Sequence, residues 1–240
     1  MEKEIKPYNT AAGKKEEVTN MFNNVAGTYD FLNHFLSLGI DNLWRKKLVK
    51  LMKQQQPKQI LDVATGTADL ALAMLKLNPE KITGIDISEN MLAVGKKKLQ
   101  EKNINNIELF QADSENLPFD INSFDAVSVS FGVRNFENLI VGLGEMRRVL
   151  KDGGKAYILE FSKPKNRFIR AIYFFYFCSV LPFIGKIISK DKNAYSYLPE
   201  SVKNFPDGKK FVELLQYCNY KNIQCIPLTF GISTIYIAEK

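Results

Sequence analysis

The chain is predicted to be an α/β protein built on a mostly parallel sheet with helices on both faces. Three observations carry that expectation. From Gln59 onward, short apolar runs alternate with helical patterns. The first run, Ile60–Val63, passes through a small-residue turn, Ala64–Ala68, into a helix. The run Phe124–Phe131 is apolar almost throughout, as a strand buried on both faces must be.

The elements follow in order. Met1–Lys15 is polar and expected to fray. Val18–Met52 is helical in pattern. Phe22, Val25, Tyr29, Leu32, Phe35 and Leu36 share one face, Gly39 marks a break, and Leu43, Trp44, Lys47, Leu48 and Leu51 form a second pattern ended by Pro57. The first strand leads to a helix over Ala68–Leu77. Ile82–Ile87 is the second strand, and Ser88 caps a helix running to about Lys102. Ile107–Ala112 and Phe124–Phe131 are the third and fourth strands. Leu139–Leu150 is a helix stopped by Asp152-Gly153-Gly154, and Ala156–Phe161 is the fifth strand.

The alternation then fails. Arg167–Ser189 is bulky and apolar, broken by Pro182 and Gly185. Its charge-free part, Ala171–Gly185, is shorter than the roughly 20 residues of a spanning helix. It reads as a core helix, or as an apolar flap that meets lipid or a lipid-like ligand. A helix over Lys209–Cys218 precedes two closing strands, Ile223–Thr229 and Ile232–Ala238.

Composition excludes little. The 240 residues fit one domain, and the net charge of +7 comes from basic residues spread along the chain. The one tight run, Lys96–Lys98, lies late in a helix, where cations complement the dipole. No nucleic-acid motif accompanies the charge. Cys178, Cys218 and Cys225 form no C-x-x-C pair, which suits a reducing compartment. The charged N-terminus lacks the apolar core of a secretory signal. A cytoplasmic location is expected.

The turn identifies the ligand class. The dinucleotide fingerprint needs G-x-G-x-x-G, whereas Ala64, Gly66 and Ala68 stand at the alternate positions here. Asp62 and Asp69 flank a turn that has no Lys or Arg, an arrangement hostile to pyrophosphate. It suits S-adenosylmethionine, whose methionine end is cationic. Asp62 is then expected to face that end, Thr67 the ligand carboxylate, and Asp86, about 20 residues beyond Gly66, the ribose diol. Asp113 would accept from the adenine amino group, and the Ser114 backbone N–H would donate to a ring nitrogen. Three acids at the ends of three successive strands are expected at one crevice.

The segments FNNVAGTYDFLN (22–33), LDVATGTADL (61–70), DISENML (86–92), SFGVRNF (130–136), RVLKDGG (148–154), LEFSKP (159–164) and YSYLPESVKNFP (195–206) make the chain resemble the UbiE/MenG family of methyltransferases. The resemblance covers nearly the whole chain. It implies a class I methyltransferase, Rossmann-like, with a seven-stranded sheet and an N-terminal helical lid (1–52), as one domain over 1–240 with an apolar insertion (165–208) near the substrate site. It also implies C-methylation of a polyprenylated quinol in menaquinone or ubiquinone biosynthesis. Thr67, Asp86, Asp113 and Ser114 match the family's cofactor positions, and Ser130 is a further candidate. Thr65 and Ala68 replace two glycines of the usual loop. The chemistry needs a group to stabilise a phenolate, a route for the ring proton and close positioning, with no metal. Arg134 is expected to stabilise the anion, with Gly132 allowing a sharp turn before it. Asn135 would orient the quinol or a water, and Tyr29 sits in the lid. His34, the single histidine, reads as structural. Expected partners are the quinol and the surface of a membrane, with homodimerisation open. An oxidoreductase using NAD is disfavoured by the loop, and a non-catalytic lipid-binding assembly protein by Thr67, Asp86 and Arg134.

Overall fold

A computed structural model describes residues 5–180 and 192–240. Five strands lie parallel: β1 (Gln59–Val63), β2 (Lys81–Asp86), β3 (Ile107–Gln111), β4 (Phe124–Ser130) and β5 (Leu150–Phe161). The closing pair, β6 (Lys221–Leu228) and β7 (Ser233–Glu239), brings the sheet to seven strands in the order β3-β2-β1-β4-β5-β7-β6. β7 runs antiparallel to both neighbours. The chain order reverses between β1 and β4, so the loops leaving those strands diverge and open a crevice at their carboxyl ends.

Two apolar layers sandwich the sheet. On one side α6 (Leu139–Val149) and α9 (Lys209–Tyr217) pack through Leu143, Met146, Phe211 and Leu215. On the other, α3 (Ile40–Met52), α4 (Asp69–Met74) and α5 (Glu89–Glu101) pack through Trp44, Leu48, Met74 and Leu92. Ser88 caps α5 as expected, accepting from Met91 N.

Several expectations are corrected. The N-terminal segment from residue 5 is tied down rather than frayed. Buried Glu17 accepts from the backbone N–H groups of Tyr8, Asn9 and Thr10 at 2.6–2.9 Å. The lid contains a second break, around Gly27, so that α1 (Lys14–Val25), α2 (Tyr29–Leu36) and α3 are separate helices. Phe35 and Leu43, expected in apolar faces, are exposed. The helix after β1 tightens into a 3-10 turn at Leu75–Leu77. α6 ends at Val149 and β5 begins immediately. Asp152-Gly153-Gly154 is thus an irregularity inside a strand, with Gly153 at φ 77°.

The apolar segment forms α7 (Arg167–Phe175) and one π-helical turn, Tyr176–Val180. Its remainder, including Pro182, Phe183 and Gly185, lies outside the described residues. No helix among the described residues is long and apolar enough to cross a membrane. A helix the sequence did not suggest, α8 (Lys192–Asn204), follows with Pro199 inside it.

Candidate functional site

The crevice at the β1–β4 reversal holds two joined chambers beneath the lid. They contain about 1070 and 670 Å³ of space, counting the part open to solvent. Asp86, Asp113, Ser114, Ile87 and Met91 line the smaller chamber. Asp62, Thr67, Arg134, Trp44, Phe161 and Tyr197 line the larger. Tyr29, Gly66, Ser130 and Asn135, with Phe22, Ala64 and Phe131, belong to both walls. Every candidate catalytic or cofactor-binding residue therefore reaches this crevice, and His34 does not.

The loop after β1 turns through left-handed backbone at Ala64 (φ 51°), Gly66 (57°) and Ala68 (67°). The turn is held from below. Thr65, which stands where the family's loop has glycine, is buried and donates to Asp62 Oδ2 at 2.7 Å. Ser128, paired with Asp62 in register across β1 and β4, donates to Oδ1 at 2.6 Å. Burial raises the Asp62 carboxyl to about 6 against these donors. Asp86 accepts from Gly66 N and Ser88 N, both at 2.8 Å, so the cofactor loop is fastened to the end of β2. Burial raises the Asp86 carboxyl as well, and the backbone donors at Ser88 and Gly66 oppose that rise.

Gly132 does not make the sharp turn expected of it. Its φ is −106°, and the left-handed residue is Phe131 at φ 59°. Gly132 is required for space: a Cβ there would come within 2.7 Å of the Ala64 Cβ. The turn throws the Phe131 ring against Phe161 (centroids 4.5 Å apart) and Trp44 (6.0 Å). These rings, tilted and edge-to-face on one another, form an apolar wall in the larger chamber.

Arg134 is not a surface cation. Its Nη1 pairs with Glu160 Oε1 at 2.8 Å and also donates to the Phe131 carbonyl. Its side chain is 8% exposed, and Glu160 is fully buried. Its Nε has no hydrogen-bond partner among the described residues, and its guanidinium carbon lies 5.4 Å from the Phe161 ring centroid. Burial pushes the Glu160 carboxyl up while Arg134 opposes that. Sequence reasoning missed Glu160. The available signal was an acid inside the buried run Ala156–Phe161. Asn135 Oδ1 accepts from Tyr197 of α8 at 3.2 Å. Burial also raises the Tyr29 phenol, which stays protonated near neutrality, and the positive charge of Arg134 draws it part of the way back. Ser130 Oγ is buried with no hydrogen-bond partner among the described residues.

Two expected ligand contacts are occupied by the lid. Thr67 Oγ1 donates to Asp30 Oδ1 of α2 at 2.5 Å. Lys98, read as a dipole-complementing cation, bridges Asp30 (2.6 Å) and Asp69 (2.7 Å). Lys15 of α1 pairs with Asp113 Oδ2 at 2.8 Å across the smaller chamber, and this bond is the chief cause that raises its ammonium. His34 sits outside both chambers with Nδ1 2.8 Å from Asp41 and Nε2 3.4 Å from Asp69. It knits α2 to α3 and α4.

The residues present fit S-adenosylmethionine. Acids stand at the ends of three strands, no cation lies in the loop, apolar Ile87 and Met91 line the smaller chamber, and Ser130 Oγ is an orphan polar atom at its mouth. Fold and site together define a class I, S-adenosylmethionine-dependent methyltransferase. A SAM-dependent methyltransferase from Thermotoga maritima has the same fold, with TM-score 0.63 at 16% identity, covering 92% of this chain and 99% of that one. The family is settled by sequence: residues 10–240 match the model of the ubiE/COQ5 methyltransferase family, and the chain belongs to it. It is similar to a demethylmenaquinone methyltransferase of Bacteroides fragilis, 45% identical over all of this chain and 98% of that one. It is also similar to a ubiquinone/menaquinone biosynthesis C-methyltransferase of Geobacter sulfurreducens, 43% identical over 95% of this chain and 90% of that one.

Proposed function

We propose that this enzyme methylates a ring carbon of polyprenylated demethylmenaquinol, giving menaquinol. The observation that carries the reading is the common wall. Tyr29, Ser130 and Asn135 line both chambers, so a nucleoside-bound methyl donor in one meets a planar acceptor in the other across the same side chains. The relatives named for demethylmenaquinone support the acceptor.

S-adenosylmethionine supplies an electrophilic methyl on its sulfonium. Asp86 grips the ribose diol, while Asp113 and the Ser114 N–H hold the adenine edge. Asp62 faces the cationic methionine end. Thr67 is offered to the ligand carboxylate once Asp30 yields it. Gly66 gives the loop the close approach that a side chain would block. Trp44, Phe131 and Phe161 present one apolar wall for a face or edge of the quinol ring. The Arg134 guanidinium, with Nε unspent, stabilises the oxygen that carries charge as the ring carbon attacks. Asn135 and the protonated Tyr29 orient that oxygen or a water, and the water takes the ring proton when aromaticity returns. The N-terminal helices up to residue 52 act as the lid, Ala194, Tyr197 and Leu198 of the insertion line the acceptor chamber, and the chain acts as one domain at the cytoplasmic face of a membrane.

The test is transfer of labelled methyl from S-adenosylmethionine to demethylmenaquinol in detergent. Labelled menaquinol is expected. Labelling of a benzoquinol acceptor alone would assign the ubiquinone branch, and no labelling of either would sink the reading.

A further inference from the structure

We infer that α7 is the docking face for an anionic lipid bilayer, set directly behind the acceptor chamber. This rests on the quinol reading above and adds the surface and the lipid chemistry. Phe168, Ile172 and Phe175 are 74%, 54% and 68% exposed, and their spacing puts them on one side of the helix. Water is a costly neighbour for three such side chains in a single stripe. Lys165, just before the helix, and Arg167, at its start beside the stripe, are exposed, with no ion-pair partner among the described residues. No acidic residue occurs between Glu160 and Asp191.

An apolar stripe edged by cations and free of acids matches an interface of anionic headgroups over acyl chains. It does not match a second copy of the same face, whose cations would repel it. Nine helical residues cannot span a bilayer, so the helix lies in the plane of the interface.

The opposite side of α7 faces the enzyme's interior. Tyr173 and Phe177 pack against Leu32 of the lid. Phe177 meets Phe161 of the chamber wall at 5.5 Å between ring centroids. On α2 the stacked pair Phe31 and Phe35, 61% and 50% exposed, extends the apolar surface from the other side of that seam. A polyprenyl tail left in the bilayer would thus have its ring one aromatic layer away from the acceptor chamber.

The test is flotation of the full chain with vesicles of phosphatidylcholine alone and of phosphatidylcholine with phosphatidylglycerol. The wild type is expected to float with the anionic vesicles, and to release at high salt. The doublet Phe168→Glu/Phe175→Glu and the doublet Lys165→Glu/Arg167→Glu should each weaken partition by about tenfold or more. Both should methylate a tail-less naphthoquinol at the wild-type rate, which shows that they are folded. Doublets that float like the wild type, or a wild type that stays at the bottom of the gradient, would overturn the docking face. A wild type that instead sediments as a dimer dispersed by the phenylalanine doublet would assign the face to a second copy and overturn it too. A protein that floats as expected but methylates no quinol in detergent would sink the quinol reading and leave the docking face standing.

Discussion

The floor and the roof of the crevice are held by different physics. The floor is held by neutral donors, main-chain N–H groups and hydroxyls. Asp86 is fixed by two main-chain N–H groups, and Asp62 by hydroxyls on its own loop and on the adjoining strand. The roof is fastened by side-chain contacts: the ion pairs of Lys98 on Asp30 and Lys15 on Asp113, and the ring of His34 between Asp41 and Asp69. Charge-assisted bonds to buried backbone donors are durable, whereas half-exposed ion pairs contribute little and weaken with salt. In the proposed reading, this division would leave the cofactor floor in place while the roof's weaker contacts yield to the ligands.

The largest effect expected is at the junction of the two. Arg134→Ala leaves Glu160 buried without its partner and should cost about 3–5 kcal/mol of stability, read by denaturant unfolding. Arg134→Met with Glu160→Gln should recover most of that stability while kcat stays down by about 100-fold. Recovery of turnover together with stability would reduce Arg134 to a structural role.

Next, in the floor, Asp86→Asn should weaken binding of S-adenosylhomocysteine by about 2–3 kcal/mol in calorimetry. A smaller effect is a pH dependence at Asp62. Its folded value of about 6 exceeds the ordinary carboxylate value of 3.8. The native state therefore holds the proton over that window, and stability without ligand should fall as pH rises through it. A cationic ligand end favours the ionised form, so cofactor binding should tighten by at most about tenfold per pH unit up to about 6 and then level off. Asp62→Asn should flatten that profile. A flat wild-type profile would place the ammonium elsewhere. The smallest effect lies in the roof. Asp30→Ala should change stability by less than about 1 kcal/mol and shift KM a few-fold, with the difference from wild type fading at high salt. A large loss of stability would make the roof as rigid as the floor.

The floor was also the legible half. A strand, a small-residue turn and an acid at a strand end are local patterns, so Asp62, Gly66, Asp86 and Asp113 could be placed from neighbouring residues alone. The roof was not legible, because its partners are distant in the chain. Lys15 meets Asp113, Thr67 meets Asp30, and Trp44 donates to Thr229. Composition gives no hint of such pairings. Glu160 was hidden for a related reason: in an apolar strand an acid is read as noise until the arginine that neutralises it is seen beside it. Helix α8 went unread because Pro199 counts against a helix interior.

The contact between Gly132 and Ala64 has a consequence for how this enzyme can be altered. The two positions are far apart in sequence, yet they share one space, with 2.7 Å left for a new methyl group. A library that varies the loop after β4 alone will lose everything but glycine at 132, where a Cβ meets the Ala64 Cβ at 2.7 Å and a Val129 methyl at 2.9 Å. The two loops behave as a single mutable unit, and new acceptor shapes will be reached only by sampling them together.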